Sequence, residues 1–289
     1  MPQPKILIQL DGDVHASVFD AVVSVDCEVD HLLQYHGVRP EHVRDLVHGA
    51  MFTRGPRELK NTAIFVGGSD VALGEAILTA VSDCFFGPLR VSVMLDASGA
   101  NTTAAAAVLA AARHVELNGT RAVVLAGTGP VGQRAARLLA RQGAAVRVAS
   151  RSGERAASVC QRIQAVLPQS SLEAVETKSQ EQVAAAMADA QLVIAAGAAG
   201  VSLLPAAVRT RLTTLRVAID LNAVPPAGIE GVEVTDKAEE RQGVICYGAI
   251  GVGATKMKIH QAAIRKLFTA NNLLLDAEQV FALGRELAV

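Results

Sequence analysis

Aromatic residues make up only 3% of the chain, tryptophan is absent, and cysteine occurs four times. The cysteines, Cys27, Cys84, Cys160 and Cys246, are far apart and lack the paired spacing of a zinc site. No two of the seven histidines stand four residues apart, the spacing at which a helix presents two of them to one metal ion. The sequence therefore predicts no metal site and four buried thiols.

The chain also lacks a large net charge, because 27 lysines and arginines balance 28 aspartates and glutamates. Such a chain has no overall field to attract nucleic acid or an anionic membrane. No apolar run approaches the roughly 20 residues that span a bilayer, and no charged-then-apolar leader opens the sequence. These absences favour a cytoplasmic protein whose partners are small molecules.

Small aliphatic residues are abundant instead, and the chain is 51% hydrophobic. This composition suits parallel strands that alternate with helices, and 289 residues are enough for two domains. Runs rich in isoleucine and valine predict strands at residues 5–10, 62–66 and 90–95, each followed by acidic or small residues. Ligands of open α/β sheets gather at the carboxyl ends of strands, so residues 1–117 are predicted to be an α/β substrate domain that ends in a connector helix.

The alternation restarts after residue 118. Further strands are predicted at 121–126, 145–150, 192–196, 216–220 and 244–248, with helices between them. Residues 118–260 are therefore predicted to form a doubly wound α/β domain. Residues 261–289 are predicted to be helices that pack back on the first domain.

A glycine-rich turn follows the first strand of this second region. It consists of Gly127, Thr128, Gly129, Pro130, Val131 and Gly132. A buried strand precedes it and a helical pattern follows it, which is the context of a Rossmann-type dinucleotide site. The turn allows the backbone to approach a pyrophosphate, and the N–H groups of the next helix point at the phosphates.

The residues after the second strand of this domain indicate which dinucleotide binds. A preference for NAD usually places an acid there, to accept the ribose 2′-hydroxyl. Ser150, Arg151 and Ser152 stand there instead, and a guanidinium with two hydroxyls suits a 2′-phosphate. We expect NADP as the cofactor, with NAD possible.

Segments along nearly the whole chain resemble the bacterial NAD(P)-dependent methylene-tetrahydromethanopterin dehydrogenases of one-carbon metabolism. They are residues 17–20, 62–68, 86–88, 101–105, 124–132, 222–229 and 248–253, with Lys256 and Lys258. Their order and spacing are more specific than the glycine turn alone.

The resemblance implies reversible, NADP-dependent hydride transfer that converts methylene-tetrahydromethanopterin to methenyl-tetrahydromethanopterin. It also implies a pterin cleft between the substrate domain and the Rossmann-type domain, and a homo-oligomer, either trimer or hexamer. Two alternatives stay open: a methylene-tetrahydrofolate dehydrogenase, with single or dual pterin specificity, and a non-catalytic NADP-binding regulator.

The same resemblance assigns residues to the site. Lys256 and Asp20 are expected to contact the pterin as catalytic and substrate-binding residues, and Asn101 and Thr102 to bind substrate. From their own place in the sequence, Ala196 and Gly197 after a predicted strand and Asn222 beside a proline turn are expected to line the cofactor site, with a purely structural loop as the alternative for each. By themselves, Lys256 could be a solvated lysine near a helix start, and Asp20, Asn101 and Thr102 could be helix caps.

Overall fold

Strands and helices alternate through residues 3–287, the part of the chain that the computed structural model describes. Numbered in chain order, the strands are β1 (Ile6–Asp11), β2 (His31–Tyr35), β3 (Thr62–Gly67), β4 (Ser92–Leu95), β5 (Arg121–Leu125), β6 (Ala145–Ser150), β7 (Leu172–Glu176), β8 (Leu192–Ala195), β9 (Val217–Asp220), β10 (Lys237–Arg241), β11 (Val244–Tyr247) and β12 (Leu274–Leu275). The helices are α1 (Val18–Asp26), α2 (Val43–Phe52), α3 (Val71–Asp83), α4 (Ala100–Ala112), α5 (Pro130–Arg141), α6 (Gly153–Val166), α7 (Gln180–Met187), α8 (Ala206–Arg209), α9 (Ala249–Leu267) and α10 (Ala277–Glu286). Within residues 3–287, no helix has the length and apolar character needed to cross a membrane.

The chain forms two units, and the α/β prediction is confirmed in both. Among the described residues, the first unit contains 3–102 and 257–287, and the second contains 103–256. These limits differ from the predicted boundaries after residues 117 and 260. The first turn of α4 belongs with the first unit because it is hydrogen-bonded to the end of β4.

The first unit is built on a parallel sheet with strand order β12-β4-β3-β1-β2. The three strands predicted here lie at its centre, where their apolar side chains are buried. β12 pairs with β4, so the C-terminal segment adds a strand to this sheet. The carboxyl ends of β1, β3 and β4 lie side by side and place Asp11, Gly67 and Asp96 along one rim.

The second unit contains a sheet with strand order β10-β11-β9-β8-β5-β6-β7, parallel except for the hairpin of β10 and β11. From β5 the chain builds outwards in one direction through β6 and β7, and then in the other through β8, β9 and β11. The direction therefore reverses between β5 and β8. In doubly wound sheets a ligand binds at the carboxyl ends of the strands beside this reversal, and here the glycine turn follows β5 while Ala196 and Gly197 follow β8.

Candidate functional site

The glycine turn joins β5 to α5 with very little room for side chains. A Cβ atom on Gly127 would lie 2.9 Å from both the Val124 carbonyl oxygen and a methyl group of Val148. A Cβ on Gly132 would lie 2.8 Å from the Cα of Gly127. Gly129 is different, because its Cβ would come no closer than 3.5 Å to the protein. The outer glycines therefore permit the tight turn and the close packing of α5, while the middle one leaves its surface open to a ligand.

A cavity of about 640 Å³ lies beside this turn in the second unit. Seven of the predicted cofactor residues line it: Thr128, Gly129, Ser150, Arg151, Ser152, Ala196 and Gly197. α5 begins here with Gly129 as its N-cap and Pro130 in its first turn, and no side chain caps its first N–H groups. These groups and the positive end of the helix dipole favour an anion.

Three cations line the cavity, of which the sequence analysis identified only Arg151. Arg155 and Lys178 also line it. Glu176, two residues before Lys178, is already engaged: it pairs with Lys178 at 3.0 Å and accepts a hydrogen bond from the Gly153 N–H at 3.2 Å. Its hydrogen bonds with Lys178 and Gly153 hold the pKa of Glu176 below its usual value. The described residues that line the cavity include these three cations and no acid, which suits a phosphate group.

The serines beside Arg151 have defined partners. Ser152 caps α6, because its hydroxyl accepts a hydrogen bond from the Arg155 N–H at 3.3 Å. The Ser150 hydroxyl accepts from the Ser152 N–H at 3.2 Å and lies 3.4 Å from the Thr128 hydroxyl. Since Ser152 starts α6, Arg155 falls in the first turn of that helix. This cap could have identified Arg155 from the sequence.

Asn222 does not line the cavity beside the glycine turn. It lines a separate cavity of about 330 Å³ with Val224 and Pro225. Its side chain donates to the Pro226 carbonyl and accepts from the Val224 N–H, both at 3.0 Å. These bonds fix the loop after β9. The structure therefore does not place Asn222 in the cavity beside the glycine turn, where the sequence analysis expected it to contact the cofactor.

Asp20 lies near the start of α1 in the first unit. The N-cap of this helix is Ser17, whose hydroxyl accepts from the Asp20 N–H at 3.2 Å, so Asp20 itself is not the cap. The Asp20 side chain is largely buried, and one of its oxygens lies 3.9 Å from Nε2 of His260. Burial raises the pKa of Asp20, while the His260 imidazole and the Ser17 hydrogen bond lower it.

Asn101 and Thr102 are buried in the first turn of α4, and neither caps that helix. Asp96 does so instead, because one of its oxygens accepts from both of their backbone N–H groups at 3.0 Å. The Thr102 hydroxyl donates to the other Asp96 oxygen at 2.6 Å. The Asn101 amide donates to the Leu95 carbonyl at 2.6 Å and to Asp276 at 3.0 Å. Their contact with a substrate stays a prediction.

His260, which the sequence analysis did not single out, lies between the two carboxylates. Its side chain is 2% exposed, and Nδ1 lies 3.4 Å from an Asp96 oxygen. Neither ring nitrogen completes a hydrogen bond to a described residue. The ring packs against those of Phe65 and Phe19, with centroid separations of 5.6 and 6.3 Å. Thr102, Asp96, His260 and Asp20 thus form a polar line in the first unit.

Lys256 is half-buried in the middle of α9. The helix begins seven residues earlier, at Ala249, so the alternative of a lysine near a helix start is wrong. His260 stands four residues after Lys256, which puts both on one face of α9. This spacing is the sequence signal that could have identified His260. Of the predicted buried thiols, Cys27, Cys160 and Cys246 are buried, whereas Cys84 is partly exposed.

Gly132→Ala is expected to destabilise the second unit by about 1–3 kcal/mol and to weaken dinucleotide binding, since the added Cβ must push the turn away from α5. Urea unfolding and a binding titration measure the two effects. Gly49→Ala is the matched control, because nothing lies within 4 Å of its Cβ position in α2 and alanine there should stabilise by up to about 1 kcal/mol. Equal stability of the two variants would contradict the role given to Gly132.

Comparisons with known proteins agree with the resemblance seen in the sequence. The sequence model described as methylene-tetrahydromethanopterin dehydrogenase, N-terminal, matches residues 18–98. The bifunctional protein MdtA of Methylorubrum extorquens is 43% identical over 98% of this chain and 99% of its own. The NAD(P)-dependent methylenetetrahydromethanopterin dehydrogenase of the same organism is 32% identical over the same shares. Quinate dehydrogenase from Corynebacterium glutamicum, solved in complex with NAD, shares the fold at 14% identity and a TM-score of 0.56, over 99% of this chain and all of that one.

Proposed function

Because the chain belongs to the NAD(P)-dependent methylene-tetrahydromethanopterin dehydrogenase family, an oxidoreductase family, we propose that it dehydrogenates methylene-tetrahydromethanopterin to methenyl-tetrahydromethanopterin with NADP. The observation that carries the proposal is identity above 30% to two relatives along almost the whole chain. The cavity beside the glycine turn, with its three cations, supports a phosphorylated dinucleotide as the partner in the reaction.

The chemistry requires positioning more than proton transfer. Hydride leaves a methylene carbon between two nitrogens whose lone pairs stabilise the cation that forms, so no proton has to be removed. We propose that the transfer is direct and reversible. NADP supplies the hydride acceptor. The residues of this chain hold the pterin and keep water away from it.

Lys256 and Asp20 are the residues to which we give substrate contacts. The Lys256 ammonium can donate to a pterin carbonyl oxygen and fix the ring. An ionised Asp20 can accept from the 2-amino group and a ring N–H of the pterin together. Thr102 donates a hydrogen bond to Asp96, and Asn101 donates one to the carbonyl at the end of β4. Both residues therefore contribute to the site by fixing the start of α4 against the carboxyl end of β4.

Arg151, Arg155 and Lys178 support NADP over NAD. Only NADP carries a 2′-phosphate for them to bind, and Glu176 is already occupied by Lys178 and Gly153. Each charge-assisted hydrogen bond to the phosphate contributes about 1.5–3 kcal/mol. NAD remains a usable but weaker cofactor.

We also propose that the protein assembles into a homo-oligomer, either a trimer or a hexamer. Val18, Val22 and Val25 follow one another at helical spacing on α1, and all three are more than half exposed. An exposed apolar stripe of this kind is typical of an interface. Light scattering coupled to size-exclusion chromatography measures the mass of the assembly, and a monomer would contradict this part of the proposal.

The deciding experiment assays methylene-tetrahydromethanopterin and methylene-tetrahydrofolate, each with NADP and with NAD. We expect the fastest formation of NADPH with methylene-tetrahydromethanopterin. The tetrahydrofolate arm is included because the more similar relative is named a bifunctional protein. Turnover of the folate alone would replace the proposed substrate. Cofactor binding without turnover of either pterin would favour a non-catalytic regulator.

A further inference from the structure

The contacts of His260 differ from those of an ordinary core histidine. Its side chain is 2% exposed, yet no described residue completes a hydrogen bond to either ring nitrogen. Buried polar atoms are nearly always paired, so an unpaired imidazole calls for an explanation. Both nitrogens face carboxylates, Asp96 at 3.4 Å and Asp20 at 3.9 Å. Small shifts of these side chains would complete either bond.

The two carboxylates are held very differently. Both carboxylate oxygens of Asp96 are hydrogen-bonded. One accepts from the backbone N–H groups of Asn101 and Thr102, and the other accepts from the Thr102 hydroxyl. The Asp20 carboxylate has a hydrogen bond with Ser17, and one of its oxygens faces Nε2 of His260 at 3.9 Å. Asp96 can therefore anchor one side of the imidazole, while the other side is directed at Asp20.

We propose that His260 is a positioning residue whose imidazole, anchored by Asp96, keeps the Asp20 carboxylate ionised and oriented for the substrate. The inference rests on the proposed role of Asp20 in substrate binding. A buried carboxylate can accept from two donors of a pterin only in its ionised form. The ring nitrogens of His260 face the two carboxylates, Nδ1 at 3.4 Å from Asp96 and Nε2 at 3.9 Å from Asp20, and a ring N–H can donate to the carboxylate it faces.

The charges around Asp20 determine the direction in which its pKa should change when His260 is replaced. Burial is the largest influence and raises the pKa of Asp20, and the nearby Asp96 and Asp11 raise it further. The His260 imidazole and the Ser17 hydrogen bond oppose them and lower it. Removing the imidazole should therefore move the pKa of Asp20 upwards, so that a larger fraction of the carboxyl is protonated at a given pH.

The test compares His260→Leu, which removes both nitrogens, with His260→Gln, which keeps an uncharged donor. Carboxyl ¹³C NMR follows the titration of Asp20 directly, with its resonance assigned by Asp20→Asn. We expect the midpoint to move to higher pH by about one unit or more in both variants. His48→Leu is the matched control, because His48 packs against Phe52 and Phe86 instead of facing Asp20, and it should leave the midpoint unchanged.

Kinetics separate positioning from packing. His260→Leu should raise the KM for methylene-tetrahydromethanopterin at least about tenfold with a smaller change in kcat, and should move the acid limb of kcat/KM to higher pH. His260→Gln should recover part of the KM, since its amide can still donate to Asp20, but not the position of the acid limb. The Kd for NADP, measured in both variants, should stay at the wild-type value.

The outcomes distinguish this inference from the proposed function. If the wild-type protein turns over neither pterin while the Asp20 midpoint still moves, the proposed substrate is wrong and the coupling between His260 and Asp20 stands. A midpoint that is the same in wild type, His260→Leu and His260→Gln overturns the inference whatever the assays show.

Discussion

Replacing Lys256 by alanine is expected to lower kcat for methylene-tetrahydromethanopterin about 100- to 1,000-fold, the usual effect of removing one preorganised donor from an active site. The ammonium group is proposed to hold a pterin carbonyl oxygen, and the half-buried position of Lys256 in the middle of α9 limits its freedom to point elsewhere. Without it the ring can rotate away from the orientation in which hydride is transferred. Steady-state and single-turnover kinetics measure the loss.

Lys258→Ala is the matched control for this change. Lys258 lies on the same helix and carries the same charge, but it is exposed and stands two residues further on, where it faces a different side of α9. Its removal should leave kcat unchanged, and the Kd for NADP should be unchanged in both variants. A Lys256→Ala enzyme with wild-type turnover would remove Lys256 from the site.

The strands that could be predicted from the sequence are those buried on both faces. β1, β3, β5 and β6 are runs of aliphatic residues, and their predicted positions agree with the structure to within a residue or two. β2 and β7 were missed because they lie at sheet edges, where an apolar run is not required: four of the five residues of β2 are exposed, and none of the residues of β7 is fully buried. Missing β7 also hid Lys178, which follows it at the rim of the cavity.

The two halves of the candidate site differ in the same way. The glycine turn is a continuous motif whose geometry depends on neighbouring residues, so local reasoning identified it together with Arg151. The polar line in the first unit joins Asp20 of α1, Asp96 after β4 and His260 of α9. These residues are separated by 76 and 164 positions, and only the packing of the sheet and helices brings them together. The resemblance supplied Asp20, and the spacing from Lys256 marks the face of α9 on which His260 lies, but no local pattern showed that Asp20, Asp96 and His260 lie close together.

The preference for NADP is expected to reverse in Arg151→Asp. Losing one charge-assisted hydrogen bond costs about 1.5–3 kcal/mol, and at 1.4 kcal/mol per decade this corresponds to NADP binding weakened about tenfold to a hundredfold. The new carboxylate adds repulsion with the 2′-phosphate. In NAD the same carboxylate can accept from the free 2′-hydroxyl, so NAD binding should stay equal or improve. Isothermal titration with both cofactors measures the change.

Arg211→Asp makes the same change of charge outside the residues that line the cavity, so it separates local contacts from the overall field of the protein. If the field alone attracted NADP, both variants would weaken its binding equally and added salt would remove the difference from wild type. If Arg151 contacts the phosphate, only Arg151→Asp changes the ratio of the two affinities. Arg155 and Lys178 remain in that variant and keep some attraction for the phosphate. A triple replacement should therefore lower NADP affinity further, whereas NAD affinity, which does not involve the phosphate, should change little.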